Sequence, residues 1–288
     1  MEAKISSDEI AYFNQGNVKL TTTSSVLISS SPYLNHPTLP QMLAQEMLRR
    51  NGPDVSPTAY IPEVAQIFHQ LENVGRIVEL FEMEKARLPK FREWCEKRSL
   101  ANFRLADVAH CAPGTLGAAI HHFMATSGYE LEFMFKEIPV VNDFTFYLRQ
   151  TAVTHDIEHI VTGFGPNHGG EIALIEANLQ SKARYFCAEL ASFFNRIPTY
   201  LKAKTMLKDV LFYPDAHVLV QEAQVQGQRQ GLNWKYPLML ADWRAMIDMP
   251  LTEVQAELGI TPVPEAGLWQ DTTDLAIDPR QDLAQAAE

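Results

Sequence analysis

The sequence predicts an all-α fold: a single-domain helical bundle with a flexible N-terminal arm and a disordered C-terminal tail. Three observations carry this. Apolar residues recur at i, i+3, i+4 and i+7 through much of residues 40–262. Glycine and proline stand where such helices must stop. No strand–helix–strand alternation and no two-residue hairpin turn interrupts the pattern.

Residues 1–38 carry Ser/Thr clusters at 21–25 and 29–31 with little periodicity, and form the expected arm. From Pro40 a first helix runs to Arg50 and is closed by Gly52. Pro62 starts a long helix whose Val64, Ile67, Phe68, Leu71, Val74, Val78 and Phe81 share one face. Pro89 ends or kinks it, and a short basic helix follows with Lys90, Arg92, Lys97 and Arg98. With Phe91 and Trp94 interleaved, that segment is either a solvated helix face, the reading we favour, or a patch for an anionic membrane surface.

After Pro113-Gly114 another helix reaches Ser127 and stops at Gly128; the apolar run Phe133-Met134-Phe135 beyond it has no diagnostic period. Asn142 caps a helix over 143–162 that carries two apolar stripes and is therefore mostly buried. The next, opened by Glu171, aligns Ile172, Ile175, Leu179, Phe186, Leu190, Phe193 and Ile197 and ends before Pro198. Two more are expected within 200–212 and 216–247, and a last one after Pro250 with Thr252 and Gln255 in capping-box positions and Gly259 at its end. The organisation is thus an arm (1–38), an all-helical metal-binding domain (39–262) and an acidic tail (263–288) rich in Pro, Asp, Gln and Ala.

Composition removes several classes. The 288 residues are 46% hydrophobic, enough for a sizeable core. A net charge of -11 and a pI near 5.3 exclude the basic face of a nucleic-acid binder. Cys95, Cys111 and Cys187 are widely spaced with no CxxC pair, as expected for reduced, buried cysteines of a cytoplasmic protein. No apolar run approaches the ~20 residues of a membrane span. Glu2, Asp8 and Glu9 with no apolar h-region signal neither secretion nor import.

The most informative stretch is His155-Asp156-Ile157-Glu158-His159, followed after eleven residues by Glu171. On a helix, His155 and His159 project from one face, one turn apart. Gly163, Gly165, Pro166 and Gly169-Gly170 then reverse the chain and bring Glu171 back, near a helix N-terminus that favours the ionised carboxylate. His155, Asp156, His159 and Glu171 are the expected metal ligands and catalytic residues. Zinc suits them first, with iron(II) or manganese as alternatives. A buried polar network without an ion is the competing reading. The zinc-peptidase pattern of two His four apart fits less well, because its general base is Glu where this chain has Asp156.

With Pro113-Gly114-Thr115-Leu116-Gly117 upstream and Glu257-Leu258-Gly259-Ile260 downstream, the chain resembles the ubiquinone (coenzyme Q) biosynthesis protein 4 family, as a divergent bacterial member. The resemblance covers residues 100–262. It implies metal-dependent, oxidative decarboxylation of a polyprenylated hydroxybenzoate, a lyase reaction with hydroxylation of the same carbon, or alternatively a non-catalytic lipid-binding scaffold. It further implies a prenylated substrate, other quinone-biosynthesis proteins as partners, a peripheral inner-membrane location, and a homodimer. Asn167 matches a family Asn, whereas Ile120 and Ile175-Glu176 depart from the family's Tyr and Lys-Trp.

Other residues carry weaker expectations. Of the histidines at 110, 121, 122 and 168, His168 is the best candidate for orienting a ligand or moving a proton. Phe123, Met124, Phe133, Met134 and Phe135 are either core or an isoprenoid channel. An HD-type phosphohydrolase is a third reading, with His121 or His122 and Asp209 as its further ligands.

Overall fold

Fifteen α-helices and one 3-10 turn account for the described structure, with no strand among the described residues. The computed structural model describes residues 6–13, 30–51, 60–132, 134–263, 269 and 272. The chain divides into two units, Met1–Gln41 and Met42–Glu288. The first holds α1 (Ser7–Phe13) and α2 (Pro32–Asn35), where Ser31 accepts from the Leu34 amide as N-cap. Next comes α3 (Leu39–Leu48); Gly52, its expected stop, lies outside the described residues.

The long helix expected from Pro62 is two helices, α4 (Ile61–Gln70) and α5 (Val74–Arg87). Asn73 breaks it: its side chain accepts from the Arg76 amide and starts a new helix. The apolar face is rephased in consequence, so Ile77, Leu80 and Phe81 are buried while Val74 and Val78 are exposed. In α6 (Pro89–Lys97), Phe91, Trp94 and Cys95 are buried, so neither aromatic can meet a membrane. After α7 (Leu105–Val108), α8 (Leu116–Ser127) ends at left-handed Gly128, φ 73°, as expected.

Asn142 caps α9 (Asp143–Val153), but the helix expected over 143–162 is interrupted at Thr154, after which α10 runs His155–Thr162. The next boundary also moves. Helix α11 spans His168–Tyr185, and α12 (Ala188–Phe212) runs through Pro198 instead of stopping there; the break falls at extended Phe186 and Cys187. The Glu84 carboxylate, on α5, accepts from the Cys187 amide there at 3.2 Å and fixes that break. Helix α13 (Pro214–Asn233) ends well before 247, followed by a 3-10 turn (Leu238–Leu240) and α14 (Trp243–Met246), because Pro237 cannot continue a helix. In α15 (Leu251–Leu258) the capping box is not formed; the Gln255 amide donates instead to the Val161 carbonyl at 2.9 Å.

Two large apolar cores result among the described residues, beside a small cluster of Ile172, Ala216 and Val220. One gathers Ile120, Ile157, Val161, Leu174, Trp234 and Val254 from α8, α10, α11, α15 and the 3-10 region; the other gathers Phe81, Phe91, Phe146, Leu190 and Phe194 from α5, α6, α9 and α12. Among the five candidate channel residues, Phe123 and Met124 pack on the first core and Phe135 on the second, and Phe133 lies outside the described residues. Helices α11 and α13 approach closely because Gly227 and Gly231 face Ala173 and Ala177.

Of the segment expected to be a disordered tail, Val263, Trp269 and Thr272 are described, and Trp269 and Thr272 are buried. Trp269 sits where a side chain at Gly169 would stand, and Thr272 Oγ accepts from the Gly169 amide at 2.9 Å. Residues 273–288 lie outside the described residues.

Candidate metal centre

The break at Thr154 makes His155 the first residue of α10, and His159 follows one turn later. Their ring centroids are 4.7 Å apart at 74°. Gly163, left-handed at φ 74°, ends the helix. This turns the Phe164 carbonyl back onto His159 Nδ1, at 2.9 Å. A carbonyl only accepts, so Nδ1 carries a hydrogen, and Nε2 is the nitrogen left to face Glu171.

The reversal that follows is built from backbone. The Asn167 side chain caps α11 by accepting from the Gly170 amide at 2.8 Å. A Cβ at Gly170 would fall 1.9 Å from the Gly165 carbonyl oxygen, so this tight turn requires glycine. It delivers Glu171 in the first turn of α11, with Oε2 3.3 Å from His155 Nε2 and Oε1 3.2 Å from His159 Nε2. Ligand atoms of these three residues all lie within 4.8 Å of one another.

Of the expected ligands, then, His155, His159 and Glu171 converge. Asp156 does not join them: its Oδ1 is 3.3 Å from His155 Nδ1, on the other side of the ring from Glu171. That is the position of a carboxylate that orients a liganding imidazole. His168, at the start of α11, turns Nδ1 to the Thr272 carbonyl at 3.2 Å and lines a separate small cavity with Asn51, Lys204, Lys208, Asp209 and Tyr213. Neither His121 nor His122 on α8, nor Asp209, is part of the trio. Asp209, Thr272 and the Phe164 carbonyl gave no signal of this surrounding role in the sequence. Ile120 is core, and Glu176 pairs with Lys202 at 2.6 Å, so both divergent positions are put to structural use.

The three side chains are electrostatically coupled. Desolvation opposes the charge on His155, but Glu171 and Asp156 outweigh it and raise the imidazole well above its ordinary pKa. Desolvation likewise works against the Glu171 carboxylate, and the two imidazoles overcome it and hold the pKa well below the usual range. His159 Nε2 is buried with no donor to meet it. That nitrogen and Glu171 Oε1 face each other across 3.2 Å, a contact that a proton on Nε2 or a shared metal ion would satisfy. Two imidazole nitrogens and a carboxylate fit zinc, and equally iron(II) or manganese. On the same helix, buried Glu158 accepts from Asn178 at 2.7 Å and from Thr154 at 3.1 Å, which fixes α10 against α11.

No family model and no curated protein matches the chain. Its fold is similar to the crystal structure of a candidate ubiquinone biosynthesis protein from Nostoc punctiforme, with a TM-score of 0.55 and 24% identity over 70% of this chain and 88% of that one. The likeness establishes a shared helical fold. No helix among the described residues is long and apolar enough to cross a membrane.

Proposed function

We propose that this protein binds one divalent metal ion through His155, His159 and Glu171 and removes the ring carboxyl group of a prenylated hydroxybenzoate in ubiquinone biosynthesis. The observation that carries the reading is the convergence of one ligand atom each from His155, His159 and Glu171, all within 4.8 Å of one another. The HDxxH-x11-E sequence pattern with its flanking PGTLG and ELGI segments supports the substrate class, as does the fold shared with a candidate ubiquinone biosynthesis protein.

When bound, the ion supplies a Lewis acid for the carboxylate or phenolate of the ring. The chain's own residues do the rest. The Phe164 carbonyl holds His159 in the tautomer that presents Nε2, and Asp156 sets the angle of His155. Loss of carbon dioxide leaves an electron pair on the ring carbon, and a proton must take its place. His168 and Asp209 are the proposed proton store. Thr272 fixes the His168 hydrogen on Nδ1 and leaves the lone pair on Nε2, burial lowers the imidazole pKa, and burial pushes the Asp209 carboxyl up to about 7, so Asp209 is the member that carries a proton near neutrality. They line one cavity of about 10 Å³, room for a single water. Other quinone-biosynthesis proteins and a membrane surface are the proposed partners.

The test supplies the prenylated hydroxybenzoate to a strain blocked at that decarboxylation. Quinone restored by the native chain, and not by equal amounts of folded His155→Ala protein, supports catalysis. Restoration by both favours a lipid-binding scaffold, and restoration by neither rejects this substrate.

A further inference from the structure

We propose that His110, Cys111 and Asp248 form a second metal site, one suited to zinc, where the turn before α8 meets the segment before α15. Cys111 Sγ is 3.9 Å from His110 Nε2, and His110 Nε2 is 3.8 Å from Asp248 Oδ1. All three ligand atoms lie within 4.8 Å of one another. In a tetrahedral zinc site, Zn–S of about 2.3 Å and Zn–N and Zn–O of about 2.0–2.1 Å put sulfur and nitrogen ~3.6 Å apart and nitrogen and oxygen ~3.4 Å apart. The sulfur–nitrogen and nitrogen–oxygen separations stand within about half an ångström of that arrangement.

The pattern of contacts distinguishes an ion site from a nucleophilic triad. A Cys–His–Asp relay uses one ring nitrogen for the thiol and the other for the carboxylate. Here both partners converge on the same atom, Nε2, at distances too long for strong hydrogen bonds and right for ligands around a common centre.

The two ligand-bearing segments are already fastened. The Leu116 amide donates to the Met249 carbonyl at 3.0 Å, Gly117 to Ile247 at 2.7 Å, and Leu251 to Gly114 at 2.9 Å. A Cβ at Gly117 would stand 2.3 Å from Cys111 Sγ, so this glycine is what admits the thiol to the seam. His110 and Asp248 are 64% and 73% exposed, so an ion has free entry and a water can fill the fourth position. Binding moves the thiol proton to solvent, and thiolate plus carboxylate then balance a divalent charge. A sulfur ligand selects zinc over magnesium or calcium. The ion would staple residues that are far apart in the chain.

Cobalt(II) is the probe, because only a thiolate ligand gives a sulfur-to-cobalt charge-transfer band and the His155–His159–Glu171 trio has none. Metal-stripped full-length protein titrated with cobalt should develop that band. It should be lost in Cys111→Ser, shifted to higher cobalt in His110→Ala and Asp248→Asn, and kept in His159→Ala. Since a variant can fail to fold, the unmodified chain gives a second measurement: zinc should protect Cys111 from alkylation, read by peptide mass spectrometry, and a chelator should reverse it. Saturating cobalt with no band, a band that survives Cys111→Ser, or alkylation of Cys111 indifferent to zinc would each overturn the site.

Discussion

Replacing Gly227 by alanine should destabilise this protein, although alanine is the better helix former. An alanine in a helix interior gains about 0.8–1 kcal/mol over glycine from propensity alone. At Gly227, however, the added Cβ would lie 2.1 Å from the Ala173 carbonyl oxygen, where real Cβ atoms stay beyond 3.0 Å. Helices α13 and α11 must therefore part by roughly 1 Å. A radial gap of ~0.5–1 Å forfeits a quarter to a half of each dispersion contact along the seam. Overpacking of this kind costs about 1–3 kcal/mol, which leaves a net loss of up to about 2 kcal/mol. The internal control is Gly75→Ala on exposed α5, where the nearest atom to the new Cβ is 3.5 Å away. That variant should be neutral or up to about 0.5 kcal/mol more stable. Urea unfolding followed by far-ultraviolet circular dichroism measures both. A Gly227→Ala protein as stable as the parent, with an unchanged slope, refutes the close approach of α11 and α13.

Three further outcomes follow from the site and its surroundings. Asp156→Asn should keep the metal but bind it about 10–100-fold more weakly in a chelator competition, whereas complete loss would make Asp156 a ligand. Asp209 has a folded pKa near 7, above its unfolded value of 3.8, so the wild-type fold loses stability as pH rises between the two. Asp209→Asn should therefore be progressively more stable than wild type from pH 4 to pH 7, with a constant difference above; equal pH profiles in denaturant titrations would count against it. Burial pushes the Cys95 thiol up to about 12, and the side chain is 2% exposed, so thiol reagents should reach Cys95 only on unfolding.

The helix ends that were legible in the sequence are those with a local chemical cause. Gly128 and Gly259 both adopt the left-handed conformation that only glycine takes easily, and Asn142 caps as expected. The breaks at Asn73, Thr154 and Cys187 were not legible, because the apolar period runs on through each of them. Asn73 has the chemistry of a cap but stands inside an unbroken stripe, and Pro198 has the chemistry of a stop but sits inside α12. The convergence of His155, His159 and Glu171 was legible because two of them are one turn apart and a glycine-rich reversal returns the third. Asp156 was included for its place at the edge of the histidine face and for the family motif, and neither can tell a ligand from a carboxylate behind one. His110, Cys111 and Asp248 are too far apart in sequence for any spacing rule, and tertiary structure alone unites them.

The seating of Trp269 gives the protein an optical reporter of its own. The Trp269 ring lies 6.0 Å from Phe164, whose carbonyl holds His159. All four tryptophans, 94, 234, 243 and 269, are buried, so their fluorescence should lie at the short-wavelength end and offer a dark background to change. A paramagnetic ion entering the trio should quench the nearest of these fluorophores first. Trp269→Phe would then subtract the signal of this one ring, turning loading of the centre into a titration followed by light emission, with no added dye.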